Sequence, residues 1–260
     1  MKNTTADILC CPKCKNDLYF RGNNASEEIA KGVFECKTCR RSYPLEDGFI
    51  HFLQEGEVRR FSKRAEFFRS IYCRLYTPLT NFMFLPCGGV KKARREVLER
   101  LEIPSNAEIL ETGIGACDNI PFISRKSGYG YFYGLDNQQK MIRKCMRNLK
   151  KWNLQADLFW SNAEELPFKD DVFDVVFHLG AINLFGDKKQ AIDEMIRVAK
   201  PKTRIVVADE NERAARLFSI FMGKQEKVKP PVDLIPDNMQ DIHLHTIWSG
   251  LGYLIEFRTP

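Results

Sequence analysis

From residue 105 onward, short apolar runs alternate with segments in which apolar residues recur every three or four positions. The runs "EILETG", "YGYFYGLD" and "VFDVVFHLG" are typical of buried strands, and "NQQKMIRKCMRNLKKW" is typical of an amphipathic helix. Alternation of strands with helices favours a parallel sheet that is covered by helices on both faces. The pattern therefore predicts a doubly wound, Rossmann-like α/β domain whose ligand crevice lies at the carboxyl ends of the strands.

The C-terminal segment departs from this alternation. "DIHLHTIWSGLGYLIEFRTP" contains two strand-like runs around the short turn "SGLG", with no helix between them. Strands joined by so short a turn pair antiparallel. We therefore expect a seven-stranded, mostly parallel sheet with an antiparallel terminal strand.

Two different patterns precede this domain. Residues 1–55 contain strand-like arms with few large apolar groups, which predicts a small separate domain. Residues 56–104 return to a helical pattern that prolines and glycines interrupt. The predicted organisation is thus a small domain over 1–55, a helical linker or lid over 56–104 and the α/β domain over 105–260.

The aromatic run "FFRSIYCRLYTPLTNFMF" lies within the predicted lid. We expect it to cross the mouth of the crevice, where Tyr72 or Tyr76 would cover a bound ligand. Ordinary packing of these rings between helices is the alternative.

Four of the nine cysteines have the spacing of a zinc ribbon. Cys11 and Cys14 form one C-x-x-C pair, and Cys36 and Cys39 form another. Two such pairs can close a tetrahedral zinc site, which would stabilise a segment too small for a large core. Cys10 competes as a ligand, but the Cys-Pro-x-Cys turn favours Cys11. Because such a site has no open coordination position, we expect a structural zinc. The domain would stabilise the chain or dock substrate or a protein partner. Four unligated cysteines are the alternative.

The positive charge is concentrated in the first part of the chain. Residues 1–104 contain 19 Lys/Arg and 13 Asp/Glu, so they account for the whole net charge of +6. Much of this positive charge lies in residues 59–74. This basic segment is either a solvated helix face or a docking surface for phosphates, including those of RNA, or for anionic lipid. No apolar run approaches the roughly 20 residues that span a bilayer, and the N-terminus lacks a signal-peptide core. We expect a cytoplasmic protein.

The turn "ETGIGACD" joins the first strand of the α/β domain to a helix. Gly113 ends the strand and Gly115 leaves the backbone bare, so a ligand can approach main-chain N–H groups. Asp136, at the end of the second strand, can accept hydrogen bonds from both hydroxyls of a ribose. These features fit NAD and S-adenosylmethionine (SAM) equally well.

Three features favour SAM over NAD. Cys117 replaces the third glycine of the dinucleotide fingerprint, which packs beside a pyrophosphate that SAM lacks. The rest of the chain is too short for the substrate domain of a dehydrogenase. In addition, "SNAEELPF" follows the third strand and precedes a buried strand.

Four segments in order resemble a known family. "EILETGIG", "YFYGLDNQQKMI", "SNAEELPFKDDVFDVVFHLGAINLF" and "AIDEMIRVAKPKTRIVVADE" resemble class I SAM-dependent methyltransferases of type 11, which include the ubiquinone/menaquinone-biosynthesis enzymes. The ribbon over about residues 7–55 resembles the activator subunit of tRNA and protein methyltransferases, and similar ribbons begin some bacterial rRNA methyltransferases. Two departures from the family are Cys117 and "AKPKTR" in place of Pro-Gly-Gly.

The resemblance implies roles for the residues at the strand ends. The methionine part of SAM would be lined by Glu111, Gly113 and Gly115, the ribose by Asp136 and the adenine by Asn137 or Gln138 and by Asn162 and Ala163. The floor of the methyl-transfer cavity would run from His178 to Ala181.

The catalytic residues stay open at the level of sequence. SAM carries its own leaving group, so the protein mainly aligns the acceptor. His178 is a candidate base or a satisfied core histidine, and Asn183 is a candidate acceptor ligand or a cap. His243 and His245 are expected to be structural.

The leading hypothesis is a SAM-dependent methyltransferase with a structural zinc and a small-molecule acceptor. The sequence segment "HLGAINLF" lacks the Asp/Asn-Pro-Pro-aromatic signature of enzymes that methylate base amines. A tRNA or rRNA methyltransferase is the first alternative, because the ribbon and the basic segment suit RNA. A non-enzymatic adaptor, which docks a partner through the ribbon, is the alternative of another class, and a dehydrogenase is a further one.

Overall fold

A computed structural model describes residues 1–22, 29, 31–54, 56, 75–125, 128, 130–222 and 228–260. Within these ranges one sheet of eleven strands runs through the molecule. The strands are β1 (Leu18–Gly22), β2 (Gly32–Cys36), β3 (Ser42–Glu46), β4 (Phe49–His51), β5 (Glu108–Thr112), β6 (Tyr131–Asp136), β7 (Asp157–Trp160), β8 (Val175–Leu179), β9 (Arg204–Glu210), β10 (Gln240–Ile247) and β11 (Gly252–Arg258).

The helices lie between these strands. They are α1 (Thr5–Ile8), α2 (Val90–Leu98), α3 (Ile120–Ile123), α4 (Gln139–Trp152), α5 (Lys188–Val198) and α6 (Glu212–Met222), together with a helical stretch over 75–83 and short 3-10 turns at Leu85–Cys87, Ile182–Leu184, Pro231–Leu234 and Trp248–Gly250. Residues 57–74, which include the basic segment 59–74 and Tyr72, lie outside the described residues.

The strand order confirms the predicted fold. It is β1-β2-β3-β4-β7-β6-β5-β8-β9-β11-β10. The pairs from β4 through β9 are parallel, whereas β11 runs antiparallel to both β9 and β10. Strands β5–β11 therefore form the expected seven-stranded sheet with its antiparallel end.

Both faces of the parallel strands are buried, as their nearly continuous apolar sequence predicts. On β5, Leu110 faces the core that contains Phe168 and Met195, while its neighbour Ile109 faces the core that contains Val97 and Ile142. The helices therefore cover the sheet on two sides and leave the carboxyl ends of the strands for a ligand.

The small N-terminal domain continues the sheet of the α/β domain. Strand β4 pairs parallel with β7, with Ile50 opposite Phe159, and the N–H groups of Phe52 and Leu53 donate to the carbonyl oxygen of Trp160 at 3.0 and 3.1 Å. Side-chain packing across this junction includes the rings of Phe52 and Phe159, whose centroids are 6.2 Å apart. Strand β7 is consequently paired on both sides, and its edge is not exposed.

Buried charge also joins the two parts of the chain. The amino group of Lys15 lies 2.6 Å from a carboxylate oxygen of Glu194, which also accepts the N–H of Leu166 at 2.7 Å and pairs with Arg197. Glu194 is 3% exposed, so its carboxylate is shielded from solvent, whereas the side chain of Lys15 is 35% exposed. The positive charges of Lys15 and Arg197 balance the negative charge of Glu194, and a buried carboxylate requires such pairing.

Candidate functional site: a cofactor crevice and a four-cysteine cluster

The four predicted zinc ligands come together at one point. The sulfur atoms of Cys11, Cys14, Cys36 and Cys39 all lie within 4.8 Å of one another. Cys11 and Cys39 are 3.5 Å apart, Cys14 and Cys36 are 3.4 Å apart, and the hydroxyl of Tyr43 lies 3.1 Å from the sulfur of Cys11. Four convergent thiols with a hydroxyl beside them fit a structural zinc site of the Cys₄ type.

Cys10 does not belong to this cluster. Its thiol is turned away and donates to the carbonyl oxygen of Phe168 at 3.0 Å. The alternation of side chains explains the difference, because consecutive residues of an extended segment point in opposite directions. The choice of Cys11 over Cys10 agrees with this geometry.

The parallel register gathers the predicted cofactor residues at one edge. Thr112 at the end of β5 lies between Leu135 of β6 and His178 of β8, and Asp136 lies beside Trp160 of β7. The loops that follow these strands therefore form a single crevice. This is the place at which open α/β sheets bind their ligands.

The turn after β5 depends on its two glycines. Gly113 has φ +70°, and a Cβ added there would lie 3.0 Å from Cε1 of His178. Gly115 has φ +56°, and its added Cβ would lie 3.6 Å from the hydroxyl of Tyr76. The backbone at both positions is in the left-handed region, which L-residues other than glycine rarely adopt.

Cys117 lies one residue before the third glycine of the dinucleotide fingerprint, because G-x-G-x-x-G counted from Gly113 ends at Asp118, so the predicted placement of Cys117 there is wrong. Cys117 also has positive φ, at +55°. The residue is fully buried, and its thiol donates to the carbonyl oxygen of Cys145 at 3.4 Å. A small apolar side chain thus fits between the turn and α4.

Glu111 is a buried carboxyl group with one unpaired oxygen. Its Oε1 accepts from Nδ2 of Asn119 at 2.5 Å, and Asn119 in turn accepts from the guanidinium of Arg94. Oε2 is buried and has no hydrogen-bond partner. Burial raises the pKa of Glu111 to about 8, although Asn119 and the charge of Arg94 oppose this shift. An unsatisfied buried oxygen is suited to a cationic ligand, such as the ammonium group of SAM.

Asp136 is held in place by backbone N–H groups. Gly115 donates to its Oδ2 at 3.1 Å, and Gln138 donates to its Oδ1 at 2.7 Å. The carboxylate is thereby fixed between the glycine turn and the start of α4. A carboxylate fixed at this place is a candidate acceptor for the hydroxyl groups of a ribose.

The residues predicted at the adenine lie on the loops after β6 and β7. The carbonyl oxygen of Asn137 accepts from the indole N–H of Trp160 at 3.1 Å. Asn162 donates through Nδ2 to Glu164 at 3.0 Å, and Ala163 is 4% exposed. Asn162 is therefore engaged locally, while Ala163 is buried in the hydrophobic core.

His178 is fully buried at the end of β8. Its Nδ1–H donates to the carbonyl oxygen of Thr112 at 2.7 Å, whereas Nε2 is buried without a partner. Burial lowers the pKa of His178 to about 4, so the ring is neutral near pH 7. The ring packs edge-on against Phe185 at 5.0 Å.

Asn183 makes hydrogen bonds through its backbone N–H and through both polar atoms of its side chain. Its backbone N–H donates to Oδ2 of Asp209 at 2.8 Å, its Nδ2 donates to the carbonyl oxygen of Glu210 at 2.8 Å, and its Oδ1 accepts from the hydroxyl of Tyr253 at 3.2 Å. The side chain is thus a brace between the loop after β8 and strands β9 and β11. His245, on the edge strand β10, pairs with Glu256 at 2.8 Å.

Sequence reasoning missed two polar residues of the crevice. Arg94 is a buried arginine on the inner face of α2, and no motif marks it. Asp209 is 5% exposed near the end of β9. A signal for Asp209 was available in the sequence, because a carboxylate closes the buried run "IVVAD", much as Asp136 closes the run "YFYGLD".

The comparisons with known proteins agree with this geometry. A profile described as a methyltransferase domain matches residues 104–258, which is more than half of the chain. The chain belongs to this methyltransferase family. A second profile, described as Trm112p-like protein, matches residues 2–48 of the methyltransferase. The family resemblance, the dependence on SAM and the zinc-ribbon resemblance are therefore confirmed.

Individual relatives cover different parts of the methyltransferase. A demethylmenaquinone methyltransferase of Lactiplantibacillus plantarum is 29% identical over 141 residues, which are 53% of this chain and 58% of that protein. The YrhH protein of Bacillus subtilis is 26% identical over 178 residues, 68% of this chain and 86% of its own length. The chain thus spans a little over half the length of the demethylmenaquinone methyltransferases that it matches.

Solved structures show the same fold. A chain from a complex that contains the Haloferax volcanii Trm112 methyltransferase activator aligns with a TM-score of 0.60 and 12% identity, over 77% of this chain and 99% of that one. The PH0226 protein of Pyrococcus horikoshii aligns with a TM-score of 0.54 and 21% identity, over 65% of this chain and 91% of its own.

Proposed function

We propose that this methyltransferase transfers the methyl group of SAM to a small, largely apolar acceptor. The observation that carries the proposal is the apolar lining on the acceptor side of the crevice. Ile182 is buried, the ring of Phe185 packs against His178, and Leu184 beside them is 53% exposed. Demethylmenaquinone methyltransferases among the relatives, named for an apolar quinone, support the same class of acceptor.

The cofactor roles that the sequence suggested remain our proposal for the crevice. Bound SAM supplies a methyl group on a sulfonium leaving group. Glu111 would accept from its ammonium group, and Asp136 would hold the ribose. Gly113 and Gly115 would let SAM approach the backbone. Its adenine would lie between the loops that carry Asn137, Asn162 and Ala163.

His178 has a specific place in this proposal. Because its Nδ1–H is already used by Thr112, only the lone pair on Nε2 remains. With a pKa of about 4, the ring takes up a proton only weakly near neutral pH. We therefore assign His178 to the floor of the methyl-transfer cavity rather than to proton transfer, and Asn183 to bracing the loop.

Calorimetry and a methyl-transfer assay test the proposal. We expect the protein to bind SAM and not NAD, and to transfer tritium from [methyl-³H]SAM to the probe 1,4-dihydroxynaphthalene, kept reduced without oxygen. Binding of NAD with no response to SAM would reject the cofactor assignment. Binding of SAM without transfer to any naphthalene diol would reject the acceptor class.

A tRNA or rRNA acceptor is the second candidate, because the Trm112p-like match and the basic excess in residues 1–104 suit a nucleic acid. Affinity for RNA falls steeply as the salt concentration rises, whereas binding of a neutral small molecule hardly changes. Methyl transfer to bulk tRNA at low salt, lost at high salt, would favour RNA.

The remaining expectations concern partners and location. Membership of the methyltransferase family argues against a purely non-enzymatic adaptor, and docking of a protein partner on the ribbon stays a prediction. No helix among the described residues is both long and apolar enough to cross a membrane. The cytoplasmic location likewise stays a prediction.

A further inference from the structure

A second buried carboxyl group lies on the acceptor side of the crevice. Asp209 accepts the N–H of Asn183 on Oδ2 and its neighbour Glu210's N–H on Oδ1, both at 2.8 Å. Tyr253 donates to the side chain of Asn183 and closes the cluster from β11. None of the cofactor roles proposed above uses Asp209.

The sheet register places Asp209 next to the floor of the methyl-transfer cavity. Leu179 of β8 is paired with Ala208 of β9, so Gly180 and Asp209 follow side by side. The carbonyl oxygen of Gly180 lies 3.6 Å from where a Cβ on Gly113 would stand. Gly180 therefore separates the cofactor turn from Asp209.

Gly180 leaves an opening toward that carboxyl group. A Cβ added at Gly180 would have a single neighbour within 4 Å among the described residues, the Oδ1 of Asp209 at 3.8 Å. The absence of a side chain thus gives a bound molecule access to Oδ1 from the cofactor side. Among the described residues, Oδ1 accepts a hydrogen bond from the backbone N–H of Glu210 alone, so this oxygen has a further lone pair for a hydrogen bond with a bound molecule.

Burial, together with the neighbouring groups, brings the pKa of Asp209 close to neutrality. Burial raises its pKa to about 7, and the negative charge of Glu210 adds to this increase. The N–H groups of Asn183 and Glu210 and the positive charge of Lys188 act in the opposite direction. Tyr253, whose own pKa burial raises further above its usual range, stays neutral. A proton acceptor works best when its pKa is close to the operating pH.

We propose that Asp209 is the proton acceptor of the methyl-transfer site and that the methyl acceptor carries a weakly acidic hydroxyl group of the phenol or enol class. This inference rests on the proposed function, because it assumes SAM in the crevice. It narrows the small apolar acceptor to a compound whose O–H reaches Oδ1 past Gly180.

The step balances with the groups named. The O–H bond of the acceptor breaks and its proton goes to Oδ1 of Asp209. A lone pair of the acceptor's hydroxyl oxygen forms the new bond to the methyl carbon, and the methyl–sulfur bond breaks with its electron pair on sulfur. The products are the methyl ether and S-adenosylhomocysteine, and Asp209 returns its proton to water.

A binding experiment tests this without turnover. The protein is saturated with S-adenosylhomocysteine and titrated with 1-naphthol, followed by fluorescence, and with 1-methoxynaphthalene, which lacks the hydroxyl. We expect 1-naphthol to bind more tightly, and its affinity to fall as the pH drops through about 7, where Asp209 takes up a proton. Asp209→Asn should weaken 1-naphthol on the order of tenfold and remove the pH dependence, while S-adenosylhomocysteine affinity stays unchanged.

Glu210→Gln is the matched control. It removes the neighbouring charge, so the pH midpoint of 1-naphthol binding should move to a lower value while the preference for the hydroxyl persists. An infrared carboxylic-acid band that titrates near pH 7 in the wild type and is missing in Asp209→Asn would support the assignment independently. Thermal unfolding checks that each variant is folded.

Three results would overturn the inference: no binding of 1-naphthol, equal affinity for both naphthalenes, or a pH dependence that survives in Asp209→Asn. Failure of the wild type to bind S-adenosylhomocysteine would instead reject the proposed function, and it is seen in the first titration, before either naphthalene is added.

Discussion

At the scale of single residues, the crevice contains carboxyl groups in contrasting settings. Asp136 is held by two backbone N–H groups, whereas Glu111 is buried with one oxygen unpaired. Hydrogen bonds from N–H groups favour the charged form of a carboxyl, and burial favours the neutral form. The two residues should therefore respond differently when SAM binds.

For Glu111 we predict that SAM binding releases a proton. Its pKa of about 8 keeps the free carboxyl mostly protonated at pH 7, and an ammonium ligand would favour the charged form. Calorimetry at pH 7 in buffers of different ionisation enthalpy should show most of one proton released in the wild type and none in Glu111→Gln. Equal release from both proteins would contradict the prediction.

The same group makes stability depend on pH. Because the pKa of Glu111 is about 8 in the folded state against an ordinary value of 4.5, the unfolded chain gives up this proton first. The contribution to the free energy of unfolding is therefore full below about pH 4.5 and lost as the pH rises through about 8. Glu111→Gln should flatten this decline in urea titrations at several pH values.

For Asp136 we predict a loss of affinity without a loss of fold. Asp136→Ala removes a charged acceptor for the ribose hydroxyls and should weaken SAM by about 1–3 kcal/mol. Asp193→Ala is the matched control, because that carboxylate pairs with Lys189 on the exposed side of α5. If the two variants bind SAM equally well, Asp136 is not part of the site.

Sequence reasoning located single residues where a motif fixed both the residue type and its place on a strand. Gly113, Gly115 and Asp136 lie at the ends of strands that the apolar pattern already marked, and the structure brings them together. It missed Arg94, whose position depends on how a helix packs across the sheet, which no local pattern encodes. For Asn183 the sequence did not decide between a ligand of the methyl acceptor and a cap of the following loop, because its partners Asp209 and Tyr253 are distant in sequence.

At the scale of secondary-structure elements, long periodic segments were predictable and short or polar ones were not. The helix expected after the turn "ETGIGACD" is short, because among the described residues it covers only Ile120–Ile123. Gly128, which follows it, has φ +68° and so does not have a helical backbone. Helix α6 was not assigned, although "ERAARLFSIFM" has a helical period.

The zinc ribbon gives a prediction at this scale. Cys11→Ser should lower the bound zinc from one ion per chain and destabilise β1–β4, because the small ribbon depends on metal ligation. Cys10→Ser should keep the zinc, since the thiol of Cys10 donates to the carbonyl oxygen of Phe168 and not to the cysteine cluster. Atomic absorption measures the metal, and circular dichroism follows the unfolding. Loss of zinc from Cys10→Ser with retention in Cys11→Ser would reverse the assignment.

At the scale of the whole molecule, the sheet runs without interruption from the ribbon to the C-terminal strands. The apolar pattern predicted both parts, but it did not predict that β4 pairs with β7. Strand β4 is only three residues long, and the pairing joins segments about a hundred positions apart. Long-range pairing of this kind leaves no periodic signal along the chain.

We predict that the two parts unfold together. In a urea titration, zinc release detected with a chromophoric chelator should coincide with the change in tryptophan fluorescence, because the β4–β7 pairing and the Lys15–Glu194 pair join the ribbon to the α/β domain. Saturating SAM should move both transitions to higher urea by the same amount. Zinc release at clearly lower urea than the fluorescence change would show that the ribbon unfolds independently.

The ribbon and the methyltransferase domain, which the β4–β7 pairing joins, belong to one chain, so their ratio is one to one. When two segments that pair in this way lie on separate chains, occupancy of the strand edge depends on the concentration of the partner chain. Here covalent linkage raises the local concentration of the ribbon far above any level that free subunits reach. Every copy of this chain therefore carries one ribbon for each methyltransferase domain.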